Sequence, residues 1–492
     1  MNIVFFHRLD LVHLYAPVSK ILEANYNIKH VAFSKNEVTI LNRDYNIHDN
    51  IINLSELRDY YLMNPDKISY SISDLDTFIR KYTDNRFNYS SSIILDRTYV
   101  NYKISDINSI SLSYYQTWSD VFNKFNPDLF FHEPPAIFCT HLASMFCVKN
   151  QAKFLTQIHV IGKDIYQWLF LEGDSAFPTE IKLNENLLNL PDLGASDFQK
   201  KFFEEDNVLL GNISINQSTK KKFKVWNFSK RLASLSINHL ISYFKGKPSF
   251  KTSEHIEKFV ESNKSDYFTD LENLYGRIFQ KFISEPIEGE NYYFFPLHLE
   301  PEAVVLYYAD GWYTGQVKLV ENIAMQLPPN VFLYVKDHPH GGNYRNVRDY
   351  KALAKIPNVK LIDPQYSGKS LIKKSKGVIT INGTAGFEAL LLNKHVICFG
   401  NAFYSEFKGV NKIKHVRDLA KVLYDIESVD ESKIDLIELN YYLNSLHPGF
   451  VSYFANRHNI LKIDSKENPE LVASGINKLI FKIKESKSNE IS

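Results

Sequence analysis

Four short stretches of this 492-residue chain set ionisable or phosphate-binding residues just after apolar, β-type runs. In "GVITINGTAGFEALLLNKHVICFG", residues 377 to 400, two β-branched runs flank a helical pattern, which reads as a β-α-β unit. Its first turn holds Gly383, Thr384, Ala385 and Gly386. A helix opening there aims backbone N–H groups and the positive end of its dipole at one point, which suits a phosphate. Gly383 and Gly386 permit close backbone approach, and the Thr384 hydroxyl can either cap the helix or donate to a phosphate oxygen. Glu388, expected in the first helical turn, could accept from ribose hydroxyls. The plain alternative is a strand–helix turn with a Thr cap, and the pattern is not the Gly-x-Gly-x-x-Gly of dinucleotide sites.

The second stretch, "YVKDHPHGG" (334 to 342), ends a β-run with Lys336, Asp337, His338, Pro339 and His340. Open α/β sheets bind ligands at the carboxyl ends of their strands. A Lys and a His held there suit a leaving nucleotide phosphate, whose charge grows as its bond to the sugar breaks. Pro339 stiffens the turn and can fix the imidazole of His338. The third stretch, "FFPLHLEPEAV" (294 to 304), adds His298, Glu300 and Glu302 at another strand end. Three such ends in one sheet define an active cleft, with His298 and Glu302 as candidates for catalysis. Metal binding by His338 and His340 is the rival, but no further Cys, His or acid cluster lies nearby, so no metal is expected.

The fourth stretch, "PDLFFHEPPAIF" (127 to 138), ends in His132 and Glu133, and Pro134-Pro135 block direct continuation as a helix. A carboxylate there can take the proton of an acceptor hydroxyl, so Glu133 is the candidate base or nucleophile; the alternative is a turn residue without chemistry. His7, Arg8, Asp10 and His13 follow the first strand, and His159 follows another. No Gly-x-Ser-x-Gly elbow is present, which removes a serine hydrolase triad.

The elements that position these residues follow from the alternation of apolar runs and helical patterns. Strands are expected near 2–6, 29–33, 128–133 and 152–157, then again near 291–301, 331–339, 358–363, 377–382 and 395–400. Such length exceeds what one core fills, so two Rossmann-like α/β domains facing a central cleft are expected. The first would cover 1–285 with a helical insertion from about 166, the second 286–425, and helices with a frayed polar tail would fill 426–492. Within the insertion, "KKKFKVWNFSKRLASLSINHLISYFKGKPSFK" (220 to 251) carries nine Lys or Arg and no acid, interleaved with aromatics. It is either a patch for a membrane surface or an anionic substrate, or a solvated helical face.

A net charge of +1 gives no general pull toward nucleic acid. Three cysteines, Cys139, Cys147 and Cys398, are too few for a disulfide framework and fit a reducing compartment. The amino terminus lacks the features of a signal peptide, and no window approaches the ~20 apolar residues of a membrane span. A cytoplasmic location is expected, with attachment to the inner face of the membrane open through 220–251.

In order and spacing, "PLHLEPEA", "WYTGQ", "YVKDHP", "INGTAGFEAL" and "FGNAFY" resemble the capsule polysaccharide biosynthesis family over about 290 to 410. Members are GT-B glycosyltransferases, including bacterial β-Kdo transferases that use CMP-activated sugars. The resemblance implies that His338, Thr384 and Glu388 hold the nucleotide, with Lys336 and His298 lining the same pocket. It also implies a GT-B glycosyltransferase that needs no cofactor or metal and moves a sugar from a nucleotide donor, CMP-linked and Kdo-like. The acceptor would be a surface polysaccharide, oligosaccharide or glycolipid. A nucleotide-sugar epimerase or hydrolase of the same fold, and a non-catalytic export partner, are the rivals.

Overall fold

Buried on both faces, the central strands read as continuous apolar runs rather than alternating ones, the mark of parallel sheets under helical layers. The computed structural model describes residues 1–99, 102–163, 167–173, 190–204, 280–300, 302–338, 345, 347–427, 433–451 and 467–489. These divide into two units, one of residues up to Glu185 with those from Ser445 on, the other of the residues between.

In the first unit β1 (Asn2–His7), β2 (Asn27–Ala32), β3 (Ile51–Asn53), β4 (Leu129–Phe131) and β5 (Lys153–His159) run parallel. β6 (Gln167–Glu172) pairs antiparallel with β5, Leu155 opposite Glu172. In the second unit β7 (Tyr292–Pro296), β8 (Phe332–Lys336), β9 (Val359–Ile362), β10 (Gly377–Thr380), β11 (His395–Cys398) and β12 (Val410–Lys412) are all parallel, in the order β12-β11-β10-β7-β8-β9. The chain then returns: β13 (His447–Pro448) pairs antiparallel with β6, completing the order β13-β6-β5-β4-β1-β2-β3.

This return locks the carboxyl terminus onto the first unit. Helix Asn468–Asn489 inserts Val472, Ile476, Leu479, Ile480 and Ile483 into the core formed by Phe5, Leu11, Tyr15 and Leu22. Gly475 lets it rest on the Trp168 ring, since a Cβ there would lie 2.8 Å from that indole. The helix runs to Asn489, covering much of the stretch expected to fray. The second core gathers Tyr293, Phe295, Leu333, Val335, Ile379 and Ile397 with Val320 and Ile323 of helix Gln316–Ala324.

The two α/β units expected of a GT-B chain are both present, each on a largely parallel sheet. One expectation is corrected: the stretch from 166 does not begin as helix, because "QWLFLE" forms β6, whose four central residues are buried beside β5. The basic stretch 220–251, and most of the expected helical insertion, lie outside the described residues. No helix among the described residues is long and apolar enough to cross a membrane.

Topology also sets where ligands can approach. In each sheet the strand order reverses direction once, between β1 and β4 in the first and between β7 and β10 in the second. At such a point the loops leaving neighbouring strands turn to opposite faces and leave a crevice at the carboxyl edge.

Candidate functional site

The crevice of the second unit is lined by the residues after β7 and β10. His298 lies two residues beyond β7, its Nε2 3.5 Å from the hydroxyl of Thr380 at the end of β10. That hydroxyl accepts the Gly383 N–H at 3.1 Å and so shapes the turn. A Cβ on Gly383 would sit 3.1 Å from the His298 ring, so the bare backbone is what lets imidazole and turn pack together. Helix Thr384–Leu391 starts here with Gly383 as its N-cap, and no side chain caps it. Its leading N–H groups are therefore not taken by a capping side chain. The Thr384 hydroxyl, expected either to cap or to meet phosphate, does not cap; Thr384 is exposed at the first helical position, and Ala385 beside it is half-buried.

Burial pushes the His298 ring down to about 4, and the positive ends of His338 and Arg345 push the same way. His298 is thus a neutral imidazole at pH 7, and its coupling to His338 brings the β8 loop into the same neighbourhood. His338 is exposed, its backbone N–H donating to Asp337 Oδ1 at 2.8 Å. Pro339 and His340 lie outside the described residues. Lys336, at the end of β8, is buried, its ammonium donating to the Pro364 carbonyl at 3.0 Å. Burial lowers its pKa, against the pull of Asp337, Glu388 and Asp363.

Two residues depart from the sequence reading. Glu388 stands one turn deeper than expected, because the helix begins at Thr384 and no acid lies in its first turn. It is half-buried, and desolvation lifts its carboxyl to about 7 against the opposing Lys369 and Lys336. At Gly386 packing alone already requires glycine: a Cβ there would overlap the hydroxyl of Tyr404, which donates to the Gly383 carbonyl.

Among the acids after β7, Glu300 is a structural clamp. It accepts from the Gly315 N–H, the Gln316 side chain at 3.2 Å and Arg345 at 3.2 Å, which closes the amino end of helix Gln316–Ala324. Glu302 begins helix Ala303–Tyr307, its carbonyl accepting from Val305 and Leu306 at 3.1 and 3.0 Å. Thr380, Gln316, Arg345 and Tyr404 shape the crevice without having been singled out in sequence. For Gln316 the "WYTGQ" motif and for Tyr404 the "FGNAFY" motif were usable signals; Thr380 and Arg345 are marked by nothing local.

In the first unit the crevice at β1 and β4 brings Arg8 onto Glu133 as an ion pair. His132 Nε2 lies 3.9 Å from the same carboxylate, and its Nδ1 donates to the Phe6 carbonyl at 3.1 Å. Burial raises the Glu133 carboxyl, but Arg8, with His132 and Arg97, outweighs it and holds the group below its ordinary value. Glu133 is therefore an anion at neutral pH, its basicity reduced by the Arg8 pair. Beneath it His7 Nε2 meets His30 Nδ1 at 2.9 Å, and Tyr15 donates to Gln157 at 2.8 Å. His13 is turned to Tyr45 at 2.9 Å, and Asp10 precedes helix Leu11–Leu22 without capping it. His159 is structural: Nδ1 donates to Gln167 O at 3.3 Å, and Nε2 accepts from the Val451 N–H at 3.0 Å. Among the described residues no three His, Cys, Asp or Glu groups are placed to hold a metal ion.

With this geometry in view, residues 279–426 match the family model described as capsule polysaccharide biosynthesis protein. That match lies within the second unit and covers the span where the sequence motifs fall. Among solved structures, KpsC β-Kdo 2,7 transferase from Thermosulfurimonas dismutans aligns at 12% identity over 73% of this chain and 89% of that one, TM-score 0.32. The KpsC β-Kdo 2,4 transferase of that organism aligns at 18% identity over 37% of this chain and 57% of that one, TM-score 0.25. UDP-GlcNAc 2-epimerase from Methanocaldococcus jannaschii aligns at 12% identity over 90% and 98%, TM-score 0.28. Among curated proteins none matches this chain in sequence.

Proposed function

We propose that this protein is a glycosyltransferase that moves a sugar from a nucleotide donor, CMP-linked and Kdo-like, to a surface polysaccharide or glycolipid. The nucleotide phosphate lies at the β7–β10 crevice, on the uncapped N–H groups of the helix beginning at Thr384. His338 meets the charge that grows on the phosphate as the glycosidic bond breaks. Glu388, near its own pKa at neutral pH, accepts from or donates to the ribose hydroxyls. Glu133 takes the acceptor proton or attacks the anomeric carbon. The observation that carries this reading is the convergence of His298, Thr380 and the Gly383 turn at the one point where the second sheet reverses its order.

A thermal-shift screen of CMP, CDP, UDP and GDP tests it, since a ligand of the native state raises its melting temperature by mass action. Stabilisation by CMP above the others is expected; equal, negligible shifts for all four would remove the donor assignment. Turnover of the sugar nucleotide without acceptor would favour the epimerase or hydrolase instead.

A further inference from the structure

The residues that hold His298 are as specific as those around it, and two of them have no role in the reading above. The His298 N–H donates to Gln316 Oε1 at 2.8 Å, and Gln316 Nε2 donates back to the His298 carbonyl at 3.1 Å. One fully buried side-chain amide thus satisfies both backbone groups of one residue. The same carbonyl accepts from Arg345 at 2.7 Å. The rest of that guanidinium reaches Glu300 Oε2 at 3.2 Å and Asp337 Oδ2 at 3.3 Å. Asp337 in turn accepts from the Tyr350 hydroxyl at 2.5 Å and from the His338 N–H at 2.8 Å. A rigid fork of five donors can join three acceptors on two loops, which a lysine ammonium cannot do in the same geometry.

We propose that Arg345 and Gln316 are positioning residues for His298: they clamp its backbone, tie the loops after β7 and β8 to one helix end, and hold the imidazole against the Gly383 turn. Tolerance at that turn is small, because even a single Cβ added at Gly383 would lie only 3.1 Å from the ring. Arg345 also acts on the ring electrostatically. The charges acting on His298 are His338 and Arg345, while Glu300 and Asp337 are engaged by the guanidinium itself. The clamp deepens the proposed nucleotide reading, yet its effect on His298 exists whether or not a nucleotide binds.

The test uses the full chain with Arg345→Met and Arg345→Lys, following the His298 Cε1–H resonance by NMR, assigned with His298→Gln, beside melting temperature and CMP affinity by calorimetry. In Arg345→Met the His298 midpoint should rise from about 4, because a like charge is removed. Arg345→Lys keeps the charge but loses the fork, so the resonance should move at pH 7 and CMP affinity should fall about tenfold. If Met does not fold, the lysine variant decides by the resonance alone. Unchanged His298 resonance and midpoint beside a lowered melting temperature would reduce Arg345 to a fold-supporting residue and overturn the proposal. Absence of CMP binding in the unsubstituted protein would strike the nucleotide reading and leave the NMR result standing.

Discussion

Lowering the pH from 7 to 5 should weaken the first unit of this protein and leave the second nearly unchanged. His30 and His132 are buried, and burial moves each from an ordinary 6.5 to about 4. The unfolded chain takes up protons at pH 5 that these folded imidazoles refuse, so their contribution is complete above 6.5 and lost as the pH falls toward 4. Between pH 7 and 5 each costs about 2 kcal/mol, roughly 4 kcal/mol together, against a typical 5–15 kcal/mol of total stability. His7, lowered by burial and by its two imidazole neighbours, adds in the same direction; Asp96, raised by burial, offsets part of the loss. In the second unit the signs oppose. His298 falls from 6.5 to about 4, while Glu388 rises from 4.5 to about 7, so the folded state gains on protonating Glu388 what it loses by leaving His298 neutral.

Urea unfolding at pH 7, 6 and 5 followed by tryptophan emission separates the units. Of the four tryptophans, Trp118 and Trp168 of the first unit are fully buried and Trp312 of the second is 80% exposed, while Trp226 lies outside the described residues, so Trp226→Phe is the background for the measurement. The emission midpoint should fall by about 1 M urea or more at pH 5. A midpoint that stays level from pH 7 to 5 would refute the linkage, and with it the neutrality of the buried imidazoles.

Other substitutions test the site. Gly386→Ala should destabilise by about 1–3 kcal/mol, because its Cβ overlaps the Tyr404 hydroxyl. Adding Tyr404→Phe should recover part of that loss, as read in a double-mutant cycle of unfolding energies. His338→Ala should lower turnover ~10²-fold if the imidazole meets developing phosphate charge. Rates equal to wild type across CMP-, UDP- and GDP-sugars would remove that role. Glu133→Gln should abolish transfer while leaving CMP affinity intact, and retained transfer takes Glu133 out of the mechanism.

The strands that carry the candidate residues were legible because buried parallel strands are unbroken apolar runs, as in "NIVFF" and "GVITIN". β3 and β12 have three residues each, and their "IIN" and "VNK" lack the unbroken apolar run that marks the equally short β4, "LFF". β13 gains its identity only from its partner β6, some 280 positions earlier. The same holds within the site. His298 and Thr380 meet because β7 and β10 are neighbours, a fact of sheet order that no local pattern encodes. Glu388 was misplaced by a turn because the helix opens at Thr384, on the backbone of Gly383, rather than near Phe387. The need for Gly386 comes from Tyr404, a ring delivered by the loop after β11.

The central claim is tested most directly by the position of the phosphorus atom in a structure of the CMP complex. The account predicts phosphate oxygens within about 3 Å of the N–H groups opening the Thr384 helix, beside the His298 ring. A nucleotide seated elsewhere on the second sheet, with that turn and ring untouched, would contradict it.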